Sequence, residues 1–279
     1  MHIEATKINL LTPCSELPLH NKRILVTAPR NYAYRLSEEI IKKGGLPVLM
    51  PTIETCYLSN YTQLDNALNR IKEFDWIIFT SRNGIIAFFH RINDLKISIS
   101  VLENCQLCAL GKDSESLFSF SGKVDLIPKE SSPAGIVAEL RKMSEIHEKK
   151  LLVPAPEVVD LPEPNVIPNL ITDLENLGIK VTRVPTYMTR SIDKNIYSIE
   201  LDLIRQGKID VIAFSSTAEI ESFLRMVNSP RDYRDCTIAC FGPYTTANAE
   251  KLGVEVSIVS TDYSSFAGFA EAIARFFVV

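Results

Sequence analysis

The stretch from Phe74 to Ile92, FDWIIFTSRNGIIAFFHRI, decides the fold. Trp76-Ile77-Ile78-Phe79 is a short, unbroken apolar run, as expected of a strand covered on both faces. Ile85, Phe88, Phe89 and Ile92 then recur at i, i+3, i+4 and i+7, which is one face of a helix. Between strand and helix lie Thr80, Ser81, Arg82, Asn83 and Gly84. Such a polar junction leaves the first N–H groups of the helix without partners and aims them outward, where they suit an anion.

The stretch has an echo at 209–227, IDVIAFSSTAEIESFLRMV. Its apolar helix positions, Ile220, Phe223, Leu224 and Val227, each fall 135 residues after a counterpart. Ser215-Ser216-Thr217 stands where Thr80-Ser81-Arg82 stood, and Ser216 with Glu219 reads as a capping box. More landmarks repeat in the same order. LLVPAPE from Leu151 mirrors ILVTAPR from Ile24, and CTIACFG with Gly242 mirrors CQLCALG with Gly111. Ser264-Ser265-Phe266-Ala267-Gly268 mirrors Ser131-Ser132-Pro133-Ala134-Gly135. The chain therefore reads as a diverged internal duplication.

Outward from these anchors, Ile24-Leu25-Val26 is a strand. A helix follows with Leu36, Ile40 and Ile41 facing inward, stopped by Gly44-Gly45, and Pro47 to Pro51 is the next strand. This is a βαβ unit, the building block of a parallel sheet. In the first copy of the Phe74 motif a strand over 105–110 precedes a helix that Gly122 ends. Val124 to Pro128 is expected as a further strand, with Ser132 capping a helix that opens on Pro133. Pro154, Pro156, Pro162, Pro164 and Pro168 predict a long loop before a helix carrying Ile171, Leu174 and Leu177. Residues 1–22 read as an extension. The fold class is α/β: two similar domains with mostly parallel sheets.

A length of 279 residues suits two domains, and 46% hydrophobic content supplies their cores. The net charge of −4 lacks the basic footprint of a nucleic-acid binder. No apolar run approaches the ~20 residues that span a bilayer. The start has no signal-peptide core, and Glu4 and Glu16 argue against a transit peptide. Cys105-x-x-Cys108 invites a zinc reading but lacks a second ligand pair, so buried strand thiols in a reducing compartment explain it better. The sequence holds no G-x-G-x-x-G after a strand, no P-loop and no G-x-S-x-G elbow. His2, His20, His90 and His147 sit in the extension, on a helix and in a charged turn, away from any catalytic pattern.

What remains are junctions rich in Ser, Thr and Gly at strand C-terminal ends, the edge where parallel sheets bind ligands. They are Thr80 to Gly84, Gly111 to Ser114, Ser131-Ser132, Ser215 to Thr217, Gly242-Pro243-Tyr244-Thr245-Thr246, and Ser264-Ser265. Each alone also reads as a plain helix cap. Together they point to a polyanion held by backbone N–H groups, with Arg82 able to pair with a carboxylate. Asp113 counts against the Gly111 loop, because it would repel one.

This pattern resembles the uroporphyrinogen-III synthase family over about 22–277. The matching residues are Phe79 to Gly84, Phe214 to Thr217, Gly242 to Thr246 with Ala249 and Gly253, and Val184-Pro185-Thr186-Tyr187. The resemblance implies two domains joined by a two-stranded β ladder, with the chain crossing over twice. One domain would take 1–52 and 190–279, the other 56–186, with linkers near 52–57 and 185–190. It implies a cleft that binds hydroxymethylbilane, a linear tetrapyrrole with eight carboxylates, and closes it to uroporphyrinogen III with inversion of the last ring. Substrate contacts would come from Thr80, Ser81, Arg82, Asn83, Ser131, Ser132, Ser215, Ser216, Thr217, Gly242, Pro243, Tyr244, Thr245 and Thr246. Tyr187 would be the proton donor. No cofactor, metal, nucleic acid or membrane is implied, and the protein is expected to act as a monomer, in the plastid stroma or the cytoplasm. Departures from the family pattern are Ala28 in place of an arginine (with Arg30 two positions on), Thr237 and Thr246. The rival readings are a non-catalytic two-domain receptor for a small polyanion and a nucleotide-dependent transferase.

Overall fold

The structure is a computed structural model that describes residues 14–278. In chain order, β1 (Arg23–Val26), α1 (Arg30–Lys42), β2 (Leu46–Leu49) and β3 (Ile53–Cys56) come first. They are followed by α2 (Thr62–Asn69), β4 (Trp76–Phe79), α3 (Arg82–Asp94), β5 (Gln106–Ala109), α4 (Asp113–Ser121) and α5 (Pro133–Leu140). Next are β6 (Lys150–Val159), α6 (Val166–Glu175), β7 (Lys180–Ser191), α7 (Ser198–Arg205), β8 (Val211–Phe214) and α8 (Thr217–Met226). The last are β9 (Thr237–Cys240), α9 (Pro243–Lys251), β10 (Ile258–Val259) and α10 (Phe266–Phe277).

These elements form two compact units. Unit 1 holds the described residues through Glu54 and those from Ser191 on, and unit 2 is Thr55–Arg190. The sheet of unit 1 has the order β10-β9-β8-β1-β2, and its pairings are parallel. The second sheet has the order β3-β7-β6-β4-β5. Its pairings of β4 with β5, β4 with β6 and β6 with β7 are parallel. The chain thus changes unit twice, and the two strands at the crossings, β3 and β7, are neighbours in one sheet.

Strand alternation explains the layers. In unit 1, Ile24, Val26 and Ala213 join one buried cluster with α1 and α10, while Leu25, Ile212 and Phe214 join another with α7, α8 and α9. In unit 2, Ile77 and Phe79 face α2, α3 and α4, while Trp76 and Ile78 face α5 and α6. Both sheets are sandwiched between helices, which is why their strands read as unbroken apolar runs. Duplicated landmarks take equivalent places: β1 with β2 corresponds to β6 with β7, and β8 with β9 to β4 with β5.

Four expectations need correction. Val124 to Pro128 forms no strand. A single parallel bridge, Cys108 to Leu126, stands where β9 and β10 pair in unit 1. The proline-rich loop is shorter than expected, because Pro154 and Pro156 lie inside β6 and Pro168 lies in the first turn of α6. The β4 pairing covers Leu151 and Leu152 and stops short of Pro154, so no ladder donor is lost there. In a helix's first turn the missing N–H has no intrahelical partner to lose. In α1 the buried set is Ala33, Leu36, Ser37 and Ile40, a stricter i, i+3, i+4, i+7 stripe that turns Ile41 outward. Of the expected extension, Met1 to Pro13 lie outside the described residues. Its last part is not loose, since Leu19 is fully buried against unit 1.

The repeated Ser-Ser-x-Ala-Gly motif has a steric cause. Ser132 and Ser265 cap α5 and α10, accepting from the N–H of Gly135 and Gly268. A Cβ on Gly135 would collide with the Glu130 carbonyl, and one on Gly268 with the Asp262 carbonyl. The loop before each cap is folded onto the helix's first turn, and only glycine admits it. Gly135→Ala is therefore expected to cost about 1–3 kcal/mol by overpacking, measured by urea unfolding. A change of a few tenths would show that the loop yields freely.

Candidate functional site

Adjacent parallel strands that send their helices to opposite faces leave a crevice at their C-terminal ends, the usual ligand site of open α/β sheets. In unit 2 that point lies between β4 and β6, and in unit 1 between β8 and β1. The sequence-predicted junctions collect around these two points.

In unit 2, β4 ends at Thr80 and Ser81 caps α3. Ser81 Oγ accepts the Gly84 N–H at 3.1 Å. The same Oγ lies 3.1 Å from the Tyr187 hydroxyl. Tyr187 comes from β7, is only 8% exposed, and owes its direction to an irregularity. The β6–β7 register pairs Ala155 with Pro185 but Pro156 with Tyr187, which leaves Thr186 unopposed. The extra residue turns Thr186 and Tyr187 both inward, the way a bulge re-aims a side chain beside a site. A Cβ at Gly84 would lie 3.3 Å from Ser81 Oγ, 3.5 Å from the Pro154 carbonyl oxygen and 3.9 Å from the Tyr187 ring, so glycine lets the start of α3 approach the phenol closely.

Arg82 is not an isolated cation. Its Nε donates to Asp113 Oδ1 at 3.2 Å, so the residue expected to repel an anion is the arginine's partner. Both side chains are about a third exposed, and such a pair contributes ~1 kcal/mol or less. Gly111, at φ +43°, lies directly beneath the Ser131 hydroxyl. The Ser132 hydroxyl donates to Glu130 Oε1 at 2.6 Å while accepting from Gly135, so it is fully employed in its cap. Asn83 follows Arg82 in the first turn of α3.

In unit 1 the sequence missed the central residue. Glu219 is 1% exposed, and its carboxyl group is ringed by polar groups. Ser215 N–H lies 2.8 Å from Oε2, Ser216 Oγ lies 3.0 Å from Oε1, and Ser215 Oγ also contacts Oε1. Thr27, at the end of β1, brings its Oγ1 to 2.9 Å from Oε2. The expected capping box is half present. Ser216 Oγ does accept the Glu219 N–H, at 3.4 Å, but the carboxyl group reaches the backbone of Ser215. Burial pushes this carboxyl above the ordinary Glu range, and the hydrogen bonds from Ser215, Thr27 and Ser216 oppose the shift in part. The sequence signals were the capping-box spacing of Ser216 and Glu219 and the Glu standing where the first copy has Gly84.

Among the hydroxyls predicted to meet a ligand, those of Ser215 and Ser216 are engaged by Glu219, and Thr246 Oγ1 donates to the Gly242 carbonyl at 3.1 Å. The Thr217 hydroxyl, in the first turn of α8, is buried and has no hydrogen-bond partner. Gly242 caps α9 in an extended conformation against Tyr263, Pro243 takes the first helical position, and Thr245 is buried while Tyr244 is half exposed. Burial pushes the Cys105, Cys108 and Cys240 thiols up to about 12, as packing residues. Among the described residues no helix is long and apolar enough to cross a membrane.

The family model described as Uroporphyrinogen-III synthase HemD matches residues 34–270. Among curated relatives, a porphyrin biosynthesis protein HemD of Ruminiclostridium josui is 28% identical over 85% of this chain, which spans 45% of that relative. A uroporphyrinogen-III synthase of Synechococcus elongatus is 26% identical over 90% of this chain and 94% of its own length. Among solved structures, a mutant uroporphyrinogen III synthase of the extreme thermophile Thermus thermophilus has the same fold, with a TM-score of 0.64. It is 15% identical, over 91% of this chain and 99% of the other.

Ser81 serves both α3 and Tyr187. Ser81→Ala is expected to lower stability by about 1–2 kcal/mol through loss of the cap, whereas Tyr187→Phe should cost less than about 1 kcal/mol. Denaturant midpoints of the two variants check the order; the reverse order would remove Ser81 as the anchor.

Proposed function

The chain belongs to the uroporphyrinogen-III synthase family, and we propose that it closes hydroxymethylbilane to uroporphyrinogen III with the junctions described above. The observation that carries this reading is the pairing of Tyr187 with Ser81 at the unit 2 crevice, where Gly84 lets the start of α3 approach the phenol.

The chemistry needs a proton donor first. Loss of the terminal hydroxyl as water leaves an electrophilic azafulvene, and general acid assistance favours that departure. Ser81 Oγ already accepts the Gly84 N–H, so its own proton is free to point at the Tyr187 oxygen. Either hydroxyl can be the donor in this pair, and the phenol is the group assigned to protonate the leaving hydroxyl. The substituted carbon of the last pyrrole then attacks to give a spiro centre. Fragmentation and re-closure invert that ring, and loss of a proton restores the aromatic pyrrole. Hydroxymethylbilane can also close without help to the symmetric type I isomer, so the protein's work is largely geometric. Helix N-termini at β4, β8 and β9 supply backbone N–H groups for the side-chain carboxylates, and the unpartnered Thr217 hydroxyl is a further donor.

Incubation with freshly made hydroxymethylbilane, oxidation, and separation of the uroporphyrin isomers tests the reading. Mostly type III product is expected; type I alone, at the uncatalysed rate, overturns it. Tyr187→Phe is expected to lower turnover about ten-fold or more with the fold intact, and near-normal turnover would remove Tyr187 from the mechanism.

A further inference from the structure

Gly84 and Glu219 are equivalent positions, 135 residues apart, in the two copies of the junction. One copy has no side chain there, and the other places a buried carboxyl group at the junction. The contacts around that group bear on its protonation. Thr27 Oγ1 lies 2.9 Å from the Ala213 carbonyl oxygen and 2.9 Å from Glu219 Oε2. A carbonyl oxygen only accepts, and a threonine hydroxyl has one proton. With Glu219 ionised, that one proton serves either Ala213 or Oε2 and leaves the other contact between two acceptors; with Oε2 protonated, Thr27 donates to Ala213 and accepts from Glu219, and both contacts are hydrogen bonds. The remaining groups fit this assignment. Both serine hydroxyls face Oε1, and an acid O–H oxygen can still accept the Ser215 N–H.

The surroundings agree. Burial raises the carboxyl's proton affinity. Packed against α8 are β8, which has no ionisable side chain, α9, which carries Tyr244, Glu250 and Lys251, Tyr233, whose ring meets Phe223 and whose phenol burial keeps neutral, and the uncharged Thr52 and Ser191 at Ser222; α8 itself carries Glu221 and Arg225. Cys240, at the end of β9, has its thiol pushed up to about 12 by burial and is therefore neutral. The Glu219 main chain is tied as well: its carbonyl accepts from Thr52 Oγ1 at 3.1 Å, and the Thr52 N–H donates to the Thr27 carbonyl at 3.0 Å.

We propose that Glu219 is the positioning residue of the unit 1 junction, a neutral carboxylic acid that fastens the end of β1 to the end of β8 and, by engaging Ser215 and Ser216, holds the first turn of α8 in place for an anionic group. Its role toward substrate rests on the function proposed above; its protonation state does not. An ionised carboxylate here would repel substrate carboxylates and set two lone pairs against each other at Thr27. The neutral acid does neither.

A carboxyl that holds its proton more tightly when folded adds stability that is complete below the ordinary Glu value of 4.5. That stability is lost as pH rises toward the folded value. The test compares thermal unfolding of the full-length wild type, Glu219→Gln and Glu219→Ala between about pH 5 and about pH 8.5. Wild type is expected to lose ~3 °C or more relative to Glu219→Gln across that range, because the amide cannot ionise. A difference that stays flat, or moves the other way, overturns the neutral acid. The wild-type and Gln pair decides this even if Glu219→Ala does not fold. In turnover, the KM of the wild type should rise with pH while that of Glu219→Gln stays level. Glu219→Ala should raise KM about ten-fold with kcat within about three-fold. An unchanged KM in Glu219→Ala overturns the positioning role. If even the wild type forms no type III product, the function proposed above falls, and the unfolding comparison still decides the state of Glu219.

Discussion

Parallel pairing of β1 with β8 and of β4 with β6 is the constraint on which the rest of the molecule depends. A parallel neighbour cannot be reached by a tight turn, so every strand runs out of the sheet into a helix. Strand ends and helix starts therefore gather on one edge of each sheet. At two places neighbouring strands send their helices to opposite faces, and the backbone parts there. Each polar junction of interest lies at or beside one of these partings. Burial of the strands on both faces makes the framework stiff enough to hold them.

The two copies put the same parting to different use. In unit 2 a glycine brings the start of α3 against a capping serine and an inward phenol. In unit 1 a glutamic acid occupies the corresponding position and gathers Thr27, Ser215 and Ser216 around itself. A buried carboxyl without partners would cost several kcal/mol, and this ring of contacts is what makes it tolerable. Duplication preserved the frame, and a single side chain changed what the frame presents.

Periodicity made the frame legible. The apolar runs at Trp76–Phe79 and Val211–Phe214, and the helical stripes after them, are local patterns imposed by burial. The polar assignments were less readable, because their partners are remote in sequence. Tyr187 meets Ser81 across 106 residues, and Glu219 meets Thr27 across 192. A capping box could be read from Ser216 and Glu219, but not that the carboxyl would turn to the end of β1. The prolines of β6 misled for a related reason. A missing N–H forbids a strand only where a neighbour would have used it, and that depends on how far β4 extends.

The order of strands has a consequence for synthesis of the chain. Unit 1 begins with β1, α1 and β2, but the neighbour that completes the middle of its sheet is β8, and all of residues 55–190 emerge between them. At ordinary translation speeds that interval is on the order of ten seconds. Until it passes, β1 has one edge of unsatisfied backbone groups and its apolar faces are only partly covered, while the later unit has all its strands in one continuous stretch. The segment that starts first is thus the one that must wait, and a nascent chain paused in this interval presents a paired βαβ fragment to whatever holds it. When β8 arrives, the loop it closes is the already folded second unit, whose entering and leaving strands lie side by side. The entropy of joining ends so far apart in sequence has then largely been met in advance.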